Sequence, residues 1–214
     1  NKLTERCKEE FTCGLTIAET GFGTGSNLLC TLDTLLQLDN SPLYGVHFIS
    51  TELYPLTYND LKTALADHPQ FQHYAKQLLE QYPPYIQGMH GSIFDKGRFY
   101  LTLCIGDAAS SLRRIDSVID AWYLDGFSPA KNPDMWSQEL FSQVARLTKD
   151  KGTLATYAAA SFVRKGLIEE GFKIKKRPGF GKKREMLTGQ ITQPKAATAP
   201  TKRPWFALPK TKKP

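Results

Sequence analysis

Cysteine is scarce, apolar runs of membrane length are missing, and acidic residues thin out towards the C-terminus. Four cysteines, Cys7, Cys13, Cys30 and Cys104, have neither CxxC spacing nor a nearby histidine cluster. Reduced thiols in a cytosolic protein are therefore expected, with no metal site. The longest apolar runs, such as Ala121 to Leu124 between aspartates, are strand-length, far short of the roughly 20 residues of a membrane span. No signal-peptide pattern is present, so no membrane partner is expected. A chain of 214 residues suits one α/β domain burying about two-thirds or more of its unfolded surface, and needs neither disulfide nor metal. It starts at Asn1 rather than Met, which suggests a fragment or a processed product with an N-terminal segment truncated.

The net charge of +7 is unevenly spread. From Arg164 onward there are 15 Lys and Arg against 3 Glu, a balance of +12; the preceding residues hold 13 against 18 Asp and Glu, or −5. Such asymmetry fits a polyanionic partner engaged by the C-terminal part, or a solvated basic linker.

Hydrophobic periodicity alternates strands with helices. Strands are predicted at Leu15 to Ala18, Val46 to Ser50, Asp120 to Leu124 and Gly152 to Tyr157. Helices are predicted at Asn27 to Leu38, Leu56 to Asp67, Phe71 to Tyr82, Ser137 to Leu147 and Phe162 to Glu170. Asp95-Lys96-Gly97 joins Gly88 to Phe94 and Arg98 to Ile105 as a hairpin, and Phe172 to Lys176 pairs with Glu185 to Ile191 as a second. The expected fold is α/β, a mostly parallel doubly wound sheet ending in an antiparallel hairpin. Residues 1–192 read as the domain, and 193–214, rich in Pro, Ala, Thr and Lys, as a basic linker.

Glu19-Thr20-Gly21-Phe22-Gly23-Thr24-Gly25 lies where a strand passes into a helix, before Asn27. Glycines there allow a sharp turn and close approach of a ligand to the backbone, while the helix start offers unpaired amides. A dinucleotide site wants Gly-x-Gly-x-x-Gly; the sixth position is Ser26 counted from Gly21 and Leu28 counted from Gly23. The acidic residue two before the first glycine instead resembles the class I (Rossmann-like) methyltransferase pattern, in which that carboxylate faces the cationic methionine end of S-adenosylmethionine. Glu52, at the end of the second strand, can accept hydrogen bonds from ribose hydroxyls. Asp107 is placed either to hold an adenine amino group or to cap the helix starting at Ala108.

The run Leu124-Asp125-Gly126-Phe127-Ser128-Pro129-Ala130-Lys131-Asn132-Pro133-Asp134-Met135-Trp136, with Glu19 to Asn27 and Gly179 to Leu187, resembles the methyltransferase domain of the MnmC family of bifunctional tRNA wobble-uridine modification proteins. The similarity runs from about Ile17 to Gly189. It implies S-adenosylmethionine held by Glu19, Gly21, Gly23, Gly25, Asn27, Glu52 and Asp107. It also implies tRNA as partner, a cytoplasmic location, and 5-aminomethyl-2-thiouridine methylated on its amine to the 5-methylaminomethyl product. An FAD-dependent oxidase often follows this domain in the family; Lys202 to Ala207 then reads as the joining linker, and no FAD is expected in this chain.

An amine with a lysine-like pKa of about 10.4 leaves roughly one molecule in a thousand neutral at pH 7, a cost on the order of 4 kcal/mol. Asp125 is accordingly assigned to orient the amine and accept its proton; its other reading is to tie down the following loop. Phe127, Pro129 and Trp136 could wall the base by stacking or belong to the core, and Lys131 and Asn132 are candidates for polar contacts to it. Lys175, Lys176, Arg177, Lys182, Lys183 and Arg184 are expected to meet RNA phosphates from a turn at the ligand-binding edge. Two rival readings are a class I methyltransferase acting on another amine and a non-catalytic RNA-binding domain that keeps the fold.

Overall fold

The computed structural model describes residues 14–36, 45–126, 129, 132, 134–179, 181 and 184–192. The predicted linker, Cys7 and Cys13 lie outside them. Among the described residues eight strands form one sheet, in the order β3-β4-β2-β1-β5-β6-β8-β7. They are β1 (Leu15–Thr20), β2 (Val46–Glu52), β3 (Gly88–Phe94), β4 (Phe99–Ile105), β5 (Ile119–Leu124), β6 (Thr148–Thr156), β7 (Phe172–Pro178) and β8 (Glu185–Ile191). β4, β2, β1, β5 and β6 are mutually parallel, whereas β3 and β8 run against their neighbours. Both predicted hairpins form.

Six α-helices among the described residues cover the sheet: α1 (Ser26–Leu36), α2 (Tyr58–Ala66), α3 (Gln72–Gln81), α4 (Ala108–Arg113), α5 (Gln138–Leu147) and α6 (Ser161–Glu169). Side chains alternate along a strand, so each strand feeds two layers. Leu15, Ile17, Phe48 and Leu103 pack with α1 to α3, while Ala18, Ile49, Trp122 and Leu154 pack with α4 to α6. β1 and β2 are buried almost throughout, as parallel strands covered on both faces must be. Three helices start on side-chain caps: Thr57, Asp107 and Ser137 accept from the amides of Asp60, Ser110 and Leu140, each worth about 1 kcal/mol.

Two boundaries differ from the sequence reading in ways that matter. β1 continues to Thr20 because its pairing with β2 persists to Thr20 opposite Thr51, which places Glu19 inside the strand. β6 starts at Thr148, before the expected break at Lys151-Gly152. Ile119 lies opposite Thr148 and Ala121 opposite Thr153, an irregularity that contains the excursion around Lys151 (φ 59°). No helix among the described residues is long and apolar enough to cross a membrane.

Candidate active site

The ends of β1, β2, β4 and β5 place Gly21 to Gly25, Glu52, Asp107 and Asp125 along one sheet edge, where open α/β sheets bind ligands. The glycine turn is pinned by the amides of Gly21 and Phe22, both donating to the Thr51 carbonyl at 2.8 and 3.1 Å. At Gly21 (φ +83°) a Cβ would stand 2.8 Å from the Gly126 Cα, so this glycine lets the corners after β1 and β5 touch. Gly23 (φ +53°) is the opposite case: a Cβ there meets nothing within 4 Å. Glu52 reaches back to the turn, accepting from the Gly23 amide through Oε2 and from the Tyr54 amide through Oε1, both at 2.9 Å. A carboxylate has about four acceptor positions, so two remain on Glu52. Asp107 Oδ1 accepts from the Ser110 amide at 2.8 Å, which realises the capping role; its side chain is exposed at the same edge.

Glu19 departs from its expected position. Alternation with Leu15 and Ile17 turns its side chain into the layer under α1, where it is 0 % exposed. It accepts from Ser50 Oγ (2.7 Å) and from Asn27 Nδ2 (3.0 Å). The same Asn27 nitrogen donates to Asp125 Oδ2 at 3.0 Å, so Glu19 communicates with the edge through Asn27 rather than facing it. Burial pushes the Glu19 carboxyl up to about 8, against lowering by Ser50 and Asn27. The folded chain therefore keeps a proton that the unfolded chain has lost, and this group makes stability fall as pH rises from about 4.5 to about 8. Glu19→Gln mimics the protonated form, since Ser50 Oγ can turn to accept from the amide. Its denaturation midpoint should gain on the wild type progressively across that window. A gap between the two proteins that is constant from pH 5 to pH 8 would contradict the assignment.

Asp125 is half-buried and lines a cleft of about 400 Å³ between α1, the ends of β5 and β6, and β8, together with Asn27, Cys30, Tyr123, Tyr157 and Met186. Its Oδ1 accepts from the Gly126 amide at 2.8 Å, so the carboxylate also braces the start of the following loop. The Met135 side chain rests where a Cβ of Gly126 would stand. Tyr157, which follows β6, donates its hydroxyl to the Gly126 carbonyl. Burial first, then the Asp125 charge, raises its phenol above the ordinary value. Sequence reading missed Tyr157, although its place just past the end of a parallel strand was a usable signal.

The other predicted contacts separate. Trp136 is a correction: only 3 % exposed, its ring packs in the α4–α6 core and does not wall the cleft. Asn132 Oδ1 accepts from the Met135 amide at 3.3 Å, closing the 3-10 turn Asp134–Trp136. Pro129 is half-buried and Arg184 exposed. Lys176 pairs with Glu185 at 2.7 Å and, sharing its face with Phe172 and Ile174, points away from Lys175 and Arg177. Phe127, Lys131, Lys182 and Lys183 lie outside the described residues.

Residues 69–192 match the family described as S-adenosyl-L-methionine-dependent methyltransferase, and the chain belongs to that family. Over 98 % of its length it is 47 % identical to the tRNA 5-methylaminomethyl-2-thiouridine biosynthesis bifunctional protein MnmC of Ectopseudomonas mendocina, of which it spans 31 %. With the protein of the same name from Stutzerimonas stutzeri it shares 49 % identity over 91 % of its length, spanning 29 % of that relative. The chain thus spans about a third of the curated relatives it matches. The crystal structure of MNMC2 from Aquifex aeolicus superimposes with a TM-score of 0.70 and 26 % identity, over 94 % of this chain and 59 % of that one. These matches bear out the resemblance to the MnmC methyltransferase domain and the class I fold.

The cofactor is S-adenosylmethionine, and the edge fits it. Gly23 leaves open room against the backbone, Glu52 offers spare acceptors at the end of β2, and Asp107 can present its second oxygen at the end of β4.

Proposed function

We propose that this chain methylates the primary amine of 5-aminomethyl-2-thiouridine at the wobble position of tRNA, giving 5-methylaminomethyl-2-thiouridine. The observation that carries this reading is Asp125, a carboxylate lining a cleft one corner from the glycine turn. The name of the relatives, which specifies 5-methylaminomethyl-2-thiouridine in tRNA, supports the choice of amine and of tRNA. By the family resemblance, the longer protein to which this domain would belong carries an FAD-dependent oxidase after it, and FAD is assigned to that part. A tRNA substrate goes with a cytoplasmic location.

When bound, S-adenosylmethionine supplies an electrophilic methyl on a sulfonium. The chain must deliver a neutral amine to it in line. Asp125, with Oδ2 fixed by Asn27 and Oδ1 by the Gly126 amide, keeps lone pairs for the substrate nitrogen and takes its proton. With Gly23, Glu52 and Asp107 holding the cofactor, its methyl would pass from sulfur to that nitrogen and S-adenosylhomocysteine would be the leaving group. Pro129 and Asn132, with Phe127 and Lys131, follow Asp125 in sequence and would contact the base; Lys182, Lys183 and Arg184 would meet phosphates beside β7.

The test is mass spectrometry of wobble nucleosides in tRNA from a strain lacking the activity, after incubation with this chain and cofactor. A mass gain of one methyl on the aminomethyl nucleoside is expected. Transfer to protein lysine or to free amines, with tRNA unchanged, would favour a different amine substrate.

A further inference from the structure

Helices cover both faces of the sheet across its centre, yet among the described residues the cover on the α1 side ends at α1. No residue of β6, β7 or β8 joins the core there. The strand register arranges the open face in three cross-strand rows: Thr153–Gln190–Lys173, Ala155–Thr188–Lys175 and, at the upper end, Tyr157 leading to Met186–Arg177. The lower rows line a groove of about 530 Å³, and Ala155, Tyr157 and Met186 line the cleft at Asp125. Cleft and groove are therefore one surface, read on alternate residues of the same strands.

Every row ends on a cation. Lys173, Lys175 and Arg177 are exposed and, two residues apart on one strand, repeat at about 6.6 to 6.8 Å. None of the rows contains a carboxylate; Glu185 faces the other way with Lys176. Lysines commonly guard edge strands against pairing, but that need does not explain why no described element packs on the adjoining rows, where Thr153, Gln190 and Thr188 alternate with Ala155, Tyr157 and Met186. A protein segment packed here would have to neutralise three like charges in a row, whereas a sugar–phosphate chain does so at each phosphate while its sugars rest on the apolar stems of the Lys and Arg side chains.

We infer that this face is a track for the phosphodiester backbone of the RNA substrate, with Lys173, Lys175 and Arg177 meeting successive phosphates that lead away from the nucleotide at Asp125. The inference rests on the tRNA reading above.

Lys173→Thr/Lys175→Thr/Arg177→Thr in the full chain keeps strand propensity. Its tRNA affinity is compared with wild type between about 50 and 200 mM salt, beside a charge-matched control, Lys62→Ala/Lys76→Ala/Lys165→Ala. Each phosphate contact contributes about 0.7 to 0.9 to the log–log slope. The triple variant should therefore flatten by about 2 to 3 and bind roughly tenfold or more weakly, with cofactor affinity unchanged and the control like wild type. Each single substitution should remove about one contact, which guards against edge-strand aggregation of the triple. Wild-type slope and affinity in the triple variant, or an equal loss in the control, overturns the track while leaving the tRNA reading intact. If the wild type binds no RNA, the substrate reading itself fails and the track with it. Capture of polyglutamate but not RNA by the wild type, lost in the triple variant, would assign the face to an acidic protein and overturn the proposal.

Discussion

Asp125→Asn should lower the methyl-transfer rate by about a hundredfold or more while leaving cofactor affinity close to wild type. The magnitude is the usual scale for losing a positioned acid–base group. Both Asp125 oxygens accept from N–H donors, Asn27 Nδ2 and the Gly126 amide. The isosteric Asn must set its own N–H₂ against one of them, at about 1 to 3 kcal/mol for the unmade bond. A modest fall in denaturation midpoint is therefore expected too, and must be separated from the chemistry. Single-turnover rates measured across pH do so. If Asp125 acts on the amine's proton, raising pH should restore much of the lost rate, because bulk base then supplies the neutral nucleophile. A disordered loop would leave the deficit constant with pH. Unchanged turnover near neutrality would remove Asp125 from the mechanism.

Much of this site was legible because its residues sit at strand ends, and strand ends follow from local pattern. Glycine register, Glu52 and Asp125 needed only the alternation of β with α. The direction of Glu19 was readable in principle: once β1 extends past Ala18, period two puts Glu19 with Leu15 and Ile17, under α1. The strand's length, however, was decided by its pairing with β2, a contact between segments about thirty residues apart. Similarly, period two along β7 separates Lys176 from Lys175 and Arg177, whereas a count of charges per loop merges them. The burial of Trp136 depends on packing beside β5 and α5, and the uncovered rows of β6, β8 and β7 depend on β8 entering between strands that precede it in sequence. Neither property resides in any local window.

Gly23→Val should abolish measurable cofactor binding, a loss of at least about a hundredfold or roughly 2.7 kcal/mol, while the protein stays folded. A Cβ at this position meets no protein atom within 4 Å, so the valine projects into the open space that the proposed site gives to the cofactor. The backbone cost comes from φ +53°, where an L-residue is worse than glycine by about 1 to 2 kcal/mol. In a chain of this size that lowers the midpoint by about 2 to 8 °C, well short of unfolding at room temperature. Gly21→Ala provides the contrast, because its smaller Cβ would lie 2.8 Å from the Gly126 Cα and 3.1 Å from its nitrogen. Backbone cannot swing aside as a side chain does, so the corners after β1 and β5 must part, and stability should fall further than for the larger valine at Gly23. Calorimetric titration with S-adenosylmethionine, beside thermal melts of both variants, reads the two effects separately. Wild-type affinity in Gly23→Val would show that the turn's open side is not the cofactor cradle. A Gly21→Ala protein as stable as wild type would show that the contact with Gly126 is not what requires glycine there.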